Sequence, residues 1–302
     1  MTQTALQGIT LERPAVDFDT YDCLEPFGLA PEQLGPLFAS HLQAAQVVDI
    51  IPRSRTRALR PVPADEPEGI VLAYPSAGAG LAMLIARKEP ENELISVWPF
   101  LSWGTQIQAG VTQILLPPHR LLALIRVTLP DGPAICFQDQ QYPASRGFYF
   151  EGAVHDFVMV GIAYHMKFSD NTAIRISPDS PNYAVLSQYG AALDGDGNLL
   201  IQTQGMAAFL EREDLAPNWY EFRGPVTQVR PYPGGLLGQD LWLVRVTVSR
   251  YEEASTSFDL DVAITRRALG DRPLPAVGDD IEGLLFLQGS VWHPDTGIIP
   301  SA

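Results

Sequence analysis

The sequence predicts a mainly β protein of the α+β class, built from short strands that form small antiparallel barrels. Of its 302 residues, 46% are hydrophobic, which is enough for a substantial core. The 25 glycines and 26 prolines are spread along the chain, as expected when many short strands alternate with turns. Several apolar segments alternate with a period of two and end at turn residues, the pattern of half-buried strands.

Charge and cysteine content restrict the partners and the compartment. The chain has 20 Lys and Arg against 35 Asp and Glu, a net charge of −15. Nucleic acids and anionic membranes attract basic surfaces, so the expected partner is a protein or a neutral small molecule. Residues 1–22 lack the basic and apolar regions of a secretory signal, and no segment reaches the ~18 apolar residues of a membrane span. With only two cysteines, the expected compartment is the bacterial cytoplasm.

The N-terminal region, residues 1–66, differs from the rest of the chain. Leucines, Phe38 and Ala45 recur at helical spacing around Gly35-Pro36, which predicts one short amphipathic helix before a proline-rich connector. Between helix and connector lies the basic series Arg53, Arg55, Arg57 and Arg60. On an extended chain the first three point the same way, which makes them candidates for binding an acidic partner. The alternative is that they contact the chain's own acidic surface.

The remaining residues carry a similar strand pattern twice. Three segments recur in the same order: VTQI at 111–114 as VTQV at 226–229, LIRVTL at 124–129 as LVRVTV at 243–248, and VGIAY at 160–164 as QGSVW at 288–292. The spacing between copies grows along the chain, as it does when loops lengthen in the second copy. We therefore predict an internal repeat with two β modules, residues 67–216 and 217–302.

Alternation along the shared strand predicts which side chains enter the core. Val127 and Val246 lie on wholly apolar faces and should point inward, whereas Arg126 and Arg245 should point away. Asp261 of the next strand falls on the same side as Arg245, so an ion pair is expected there. A small antiparallel barrel of about five strands resembles the oligonucleotide/oligosaccharide-binding (OB) fold. The two modules are therefore expected to be tandem OB-like barrels, a likeness of fold that implies no particular ligand.

Two local elements are predicted at the end of the first module. Residues 193–202 should form a hairpin around Asp194, and residues 206–215 a short helix. The acidic loop also resembles the start of a calcium-binding loop. The positions that would need Gly and Glu hold Leu199 and Gly205, so a tight turn is preferred.

Residues with potential for catalysis or metal binding do not assemble along the sequence. His155 and His165 lie ten positions apart in a predicted strand, ~33 Å at the standard rise, which is too far for one metal. Ser76 lacks the preceding glycine that a nucleophile elbow requires. Cys136 lies inside an apolar strand with no adjacent cation, which favours a buried thiol. We therefore expect no metal and no cofactor.

An aromatic stretch is the preferred candidate for ligand binding. Trp98, Phe100 and Trp103 precede the first repeat and could form an exposed surface on which a ligand stacks. The predicted function is that of a non-enzymatic binding or interaction protein. The alternative is a hydrolase-type enzyme whose site assembles only in three dimensions. A pocket with convergent titratable groups would favour the enzyme, and an apolar or aromatic patch would favour the binding protein.

Overall fold

The fold is described from a computed structural model. It describes residues 11–12, 22–30, 32–33, 36, 44–48, 62, 65–76, 78–88, 90–130, 132–150, 152–170, 173–181, 183–189, 192–251 and 256–292. The basic series at Arg53, Arg55 and Arg57 and most of the predicted N-terminal helix lie outside these residues. No helix in the described part of the chain has the length and apolar character needed to cross a membrane.

Strands dominate the described residues. In chain order they are β1 (Leu11–Glu12), β2 (Gln46–Val47), β3 (Gly69–Pro75), β4 (Ala79–Ala86), β5 (Glu93–Leu101), β6 (Thr105–Leu115), β7 (Leu124–Thr128), β8 (Ala134–Asp139), β9 (Val154–Phe168), β10 (Ile174–Ile176), β11 (Ala192–Leu193), β12 (Leu199–Ile201), β13 (Ala208–Glu211), β14 (Trp219–Leu236), β15 (Gln239–Tyr251), β16 (Thr256–Thr265) and β17 (Asp280–Val291). The predicted mainly β class is therefore confirmed.

Helical segments within the same residues are short. The α-helices with defined bounds are α1 (Tyr142–Ser145), α2 (Tyr183–Leu186) and α3 (Arg266–Leu269), and 3-10 turns cover Asp22–Phe27, Arg146–Phe148 and Ser187–Tyr189. Residues 32, 33 and 36 are also helical. The helix predicted over 206–215 is wrong, because this segment contains β13. Phe209 of β13 stacks on Tyr220 of β14 with ring centroids 4.1 Å apart, and this tertiary contact outweighs a local helical preference.

The strands form three sheets. The largest has the order β1-β6-β7-β8-β17-β9-β16-β15-β14-β13, and the additional pairings β6–β9 and β14–β17 close it on itself. A four-stranded sheet has the order β2-β3-β4-β5, and a three-stranded sheet has the order β10-β12-β11. The predicted hairpin is present as β11 and β12. Its turn is held by Asp194 Oδ1, which accepts hydrogen bonds from the backbone N–H groups of Asp196 and Asn198.

Strands β6–β9 and β14–β17 form two units with the same pairing. In each, the first three strands form an antiparallel meander, a four-residue helix follows the third strand, and the fourth strand returns beside the first. The register is also the same, because Val111 faces Val127 in one unit and Val226 faces Val246 in the other. We call these unit one and unit two.

Both units carry a β-bulge at the same threonine. The register shifts between Val111 and Gln113 in unit one and between Val226 and Gln228 in unit two. The hydroxyl groups of the two bulged threonines then make equivalent bonds. Thr112 Oγ1 donates to the carbonyl oxygen of Arg126 at 3.1 Å, and Thr227 Oγ1 donates to that of Arg245 at 3.3 Å.

A hydroxyl group from each unit also bonds to the third strand of the other. Tyr220 Oη of β14 accepts from the backbone N–H of Cys136 in β8 at 2.6 Å. Thr105 Oγ1 of β6 accepts from the backbone N–H of Asp261 in β16 at 2.8 Å. Each bond supplies a partner to a backbone group on a strand edge, where an unpaired N–H would be costly.

The two units are interlaced within one sheet. β9 and β17 pair antiparallel, β8 runs parallel to β17, and β16 runs parallel to β9. Hydrogen bonds therefore join strands on both sides of the boundary predicted at 216/217. The OB-like tandem detail of the prediction is not confirmed.

Both faces of the closed sheet are covered. Val127 and Val246 are fully buried in one apolar cluster shared by the two units, so the predicted strand phase is confirmed. On the opposite face, Leu243 packs in a second cluster with Trp98 and Phe100 of the four-stranded sheet. The four-stranded sheet therefore lies over the outer face of the closed sheet.

The expected ion pair on β15 and β16 is present. Arg245 Nε and Nη2 donate to the two oxygens of Asp261 at 2.9 Å each. The Asp261 side chain is only 2% exposed. The equivalent Arg126 instead binds Glu211 of β13, at 3.0 and 3.1 Å, and this partner is 35% exposed. The two arginines thus occupy equivalent positions, but they bind carboxylates on different strands and in different environments.

Candidate functional site

The aromatic stretch predicted to be exposed is largely buried. Trp98 is 1% exposed and Phe100 is 0% exposed, so the expectation of an open aromatic surface is wrong for both. They are buried because β5 lies against the closed sheet. Trp103 is partly buried and stacks on Tyr232 with ring centroids 4.9 Å apart. Any ligand that uses this stretch would have to be enclosed between the sheets.

The isolated candidates of the sequence have structural partners. Ser76 Oγ accepts from the backbone N–H groups of Gly78 and Ala79, as in a turn, and donates to the carbonyl of Ala79. Cys136 is buried as predicted, and burial raises the pKa of its thiol to about 12. Among the described residues, no three His, Cys, Asp or Glu side chains converge as a metal site would require.

A buried polar cluster lies where β8 ends. Strand β8 begins with apolar residues, and four consecutive polar residues span its end and the turn after it, Gln138, Asp139, Gln140 and Gln141. All four are buried, and so is Gln288, which faces Gln138 across the parallel pairing of β8 and β17. Buried polar residues need hydrogen-bond partners, so such a concentration calls for a physical explanation.

The Asp139 carboxylate accepts three hydrogen bonds. Tyr149 Oη donates to Oδ2 at 2.6 Å, the backbone N–H of Gln141 donates to Oδ1 at 2.8 Å, and Ser145 Oγ donates to Oδ2. Burial raises the pKa of Asp139 to about 6, and the three donors oppose that shift. Burial, followed by the nearby Asp139 charge, raises the pKa of Tyr149 well above its usual value. This carboxylate fixes α1 and the following turn to the end of β8.

Two glutamine amides connect the closed sheet to β5. Gln288 Nε2 donates to the carbonyl oxygen of Pro99, and Gln140 Nε2 donates to that of Leu101, both at 3.0 Å. These carbonyls belong to alternate residues of β5, next to the aromatic residues singled out from the sequence. The sequence-predicted stretch is therefore the strand that covers the polar cluster. We call Gln138, Gln140, Gln288 and the covering residues 98–101 the amide layer.

Several polar atoms of the amide layer have no protein partner. They are Gln138 Nε2, Gln140 Oε1, Gln288 Oε1 and the indole Nε1 of Trp98. A buried donor or acceptor without a partner costs about 1–3 kcal/mol, so these atoms favour the binding of a polar partner. A bound polar molecule that both donates and accepts hydrogen bonds would remove this cost.

The chemistry of the amide layer is that of neutral recognition. Its free groups are amide and indole N–H donors and amide C=O acceptors, which orient a polar molecule without ionic attraction. Sequence analysis missed this site because the polar residues that follow the strand match no catalytic or metal-binding motif. A detectable signal was present, since four polar residues directly follow Ile135, Cys136 and Phe137 in an apolar strand.

Comparisons with known proteins do not assign the chain to a group. No protein-family model, no curated protein and no solved structure matches it.

Proposed function

We propose that this chain is a non-enzymatic binding protein that holds a neutral, polar small molecule in the amide layer. The observation that carries the proposal is that four buried polar atoms of the layer between two sheets have no protein partner. Donors and acceptors are both present among them, and the layer offers no charged side chain to a ligand. The net charge of −15 further disfavours anionic partners such as nucleic acid.

The hydrolase alternative has one supporting observation. Asp139 accepts a hydrogen bond from the Ser145 hydroxyl, and a carboxylate with a pKa of about 6 has the basicity of a general base. Asp139 already accepts three hydrogen bonds and Ser145 Oγ also bonds to the carbonyl oxygen of Gln141, so both groups are satisfied within the protein, unlike the unpartnered atoms of the amide layer. The binding protein is therefore favoured, and Ser145→Ala should leave ligand binding unchanged.

We also propose that units one and two are copies of one repeat. The common register, the bulges at Thr112 and Thr227 and the reciprocal hydroxyl bonds support a duplication. Two of the three sequence matches fall in this register. The third is displaced by two residues, because the strand pairings make Ile162, rather than Val160, the equivalent of Gln288.

Cytoplasm is the proposed compartment, where the thiols of Cys23 and Cys136 would stay reduced.

Native mass spectrometry tests the proposed binding function. The protein purified under native conditions should carry a small-molecule adduct that is lost when the chain is unfolded, and the released compound can be identified from its mass. In a panel of neutral polar metabolites, the released compound should also raise the melting temperature. A chain that has no adduct and is not stabilised by any compound of the panel would refute the proposal.

A further inference from the structure

The closed sheet has two equivalent places where the units run parallel. In one, β8 meets β17 and Gln138 faces Gln288. In the other, β16 meets β9 and Ala263 faces Ile162. We call these the polar seam and the apolar seam.

Register makes the two seams comparable position by position. Arg126 faces Cys136 in unit one, and Arg245 faces Asp261 in unit two, so the residues two positions further along, Gln138 and Ala263, are equivalent. The pairings of β6 with β9 and of β14 with β17 likewise make Ile162 equivalent to Gln288. The same cross-strand pair is thus formed by two amides in one seam and by two apolar residues in the other.

The apolar seam shows what this fold requires at the shared position. Ala263 and Ile162 are fully buried and contribute to the cluster between the sheets. A seam without polar side chains therefore forms and packs. Gln138 and Gln288 are equally enclosed, at 4% and 0% exposure, and leave a donor and an acceptor unpartnered. The fold does not need polar side chains at these two positions. We therefore attribute the two glutamines to ligand binding.

We infer that the polar seam binds a neutral molecule that presents a carbonyl oxygen next to an N–H group, as a carboxamide or a ureide does. This inference rests on the proposed binding function and specifies its ligand. The ligand's carbonyl accepts from Gln138 Nε2, and its N–H donates to Gln288 Oε1. Both side chains project from the same face of neighbouring strands, towards β5.

A charged ligand of the same shape is excluded by the surroundings of the seam. Gln288 is fixed by its bond to the Pro99 carbonyl, and Trp98 adds a neutral N–H donor. A carboxylate would lose its hydration on entry without meeting a cation, and the cost of burying an unpaired charge exceeds that of burying an amide. The seam therefore distinguishes an amide from an acid of equal size.

The test uses the full chain and probes matched in size. Acetamide and acetate differ in charge but hardly in shape, and uracil presents the same amide edge on a larger body. Acetamide and uracil should raise the melting temperature in a concentration-dependent manner, whereas acetate should not. The variants are Gln138→Leu, which keeps the side-chain volume but removes the amide, and Ile162→Val in the apolar seam as the matched control.

Gln138→Leu should lose the response to acetamide and uracil, and Ile162→Val should keep it. After any copurified compound has been removed by unfolding and refolding, and without probe, Gln138→Leu should melt about 2–4 °C above the equally treated wild type, because it removes one unpartnered buried donor. The inference fails if acetate stabilises as well as acetamide, if Gln138→Leu keeps the response, or if this variant melts below the wild type. If no probe binds while native mass spectrometry finds another bound compound, the ligand class is wrong and the binding function stands.

Discussion

Replacing Asp139 by asparagine should change how the stability of the protein depends on pH. Burial raises the pKa of this carboxyl from its usual 3.8 to about 6 in the folded state. The folded protein therefore holds the proton more tightly than the unfolded chain does. The resulting stability is fully present below the unfolded-state pKa and is lost as pH rises through the folded-state pKa. From 3.8 to about 6, the loss amounts to about 3 kcal/mol.

The assay is urea unfolding of wild type and Asp139→Asn at several pH values. Because the pI is about 4.6, measurements should start near pH 5 to avoid precipitation. Between about pH 5 and pH 7.5, two-state linkage with these pKa values predicts that the variant gains about 1–2 kcal/mol relative to the wild type. The amide of the variant makes some of the hydrogen bonds less well than the Asp139 carboxylate does. This changes the free energy of unfolding of the variant by an amount that does not depend on pH.

A matched control separates this effect from the general titration of an acidic protein. Asp214 is exposed, and hydrogen bonds from Arg212 lower its pKa, so Asp214→Asn should not give a gain that grows with pH. The reasoning is refuted if the free-energy difference between Asp139→Asn and the wild type is flat from about pH 5 to pH 7.5, or if it runs in the opposite direction.

Further predictions concern the stability of the closed sheet, DNA binding and metal binding. Val246→Ala should lower the free energy of unfolding by about 1–3 kcal/mol through a cavity. Arg245→Ala should cost about 2–4 kcal/mol, because it leaves the buried Asp261 without its main partner, whereas Arg126→Ala should cost about 1 kcal/mol or less, because Glu211 is partly hydrated. Equal costs in urea unfolding would contradict this ranking. Neither single- nor double-stranded DNA should shift in mobility with micromolar protein at physiological salt. A chelator should leave the melting temperature unchanged, and a drop of several degrees would reveal a structural metal.

The strand phase could be predicted because alternation is a local property. Val127 and Val246 point inward as their period-two pattern indicates. The same pattern placed Leu124 and Leu243 on the outer face of the strand, together with Arg126 and Arg245. Leucine is unusual on an outer face that is exposed to water. Both leucines are in fact buried, Leu243 beneath the four-stranded sheet. The alternation along a strand does not show whether a second sheet covers its outer face. Apolar residues on that face are the signal in the sequence that points to such a sheet.

The arrangement of the two units and the position of the site could not be predicted from the sequence. Both depend on contacts between residues that lie far apart along the chain. Gln288 meets Gln138 only because β17 crosses into unit one, and no local pattern specifies that parallel pairing. The burial of Trp98 and Phe100 follows from the same arrangement, since β5 closes over the seam. Aromatic residues next to prolines and turns fit an exposed surface equally well until the covering sheet is known.

The arginine at the same position of both units has a different partner in each. In unit two, Arg245 binds Asp261 directly across the sheet, whereas in unit one the equivalent cross-strand position holds Cys136. Arg126 obtains its carboxylate from Glu211 of β13 instead. An acid at position 136 would compete for Arg126 from inside the sheet. With the charge supplied from β13, the middle of β8 remains uncharged, and its next outward-facing residue contributes a neutral amide to the polar seam.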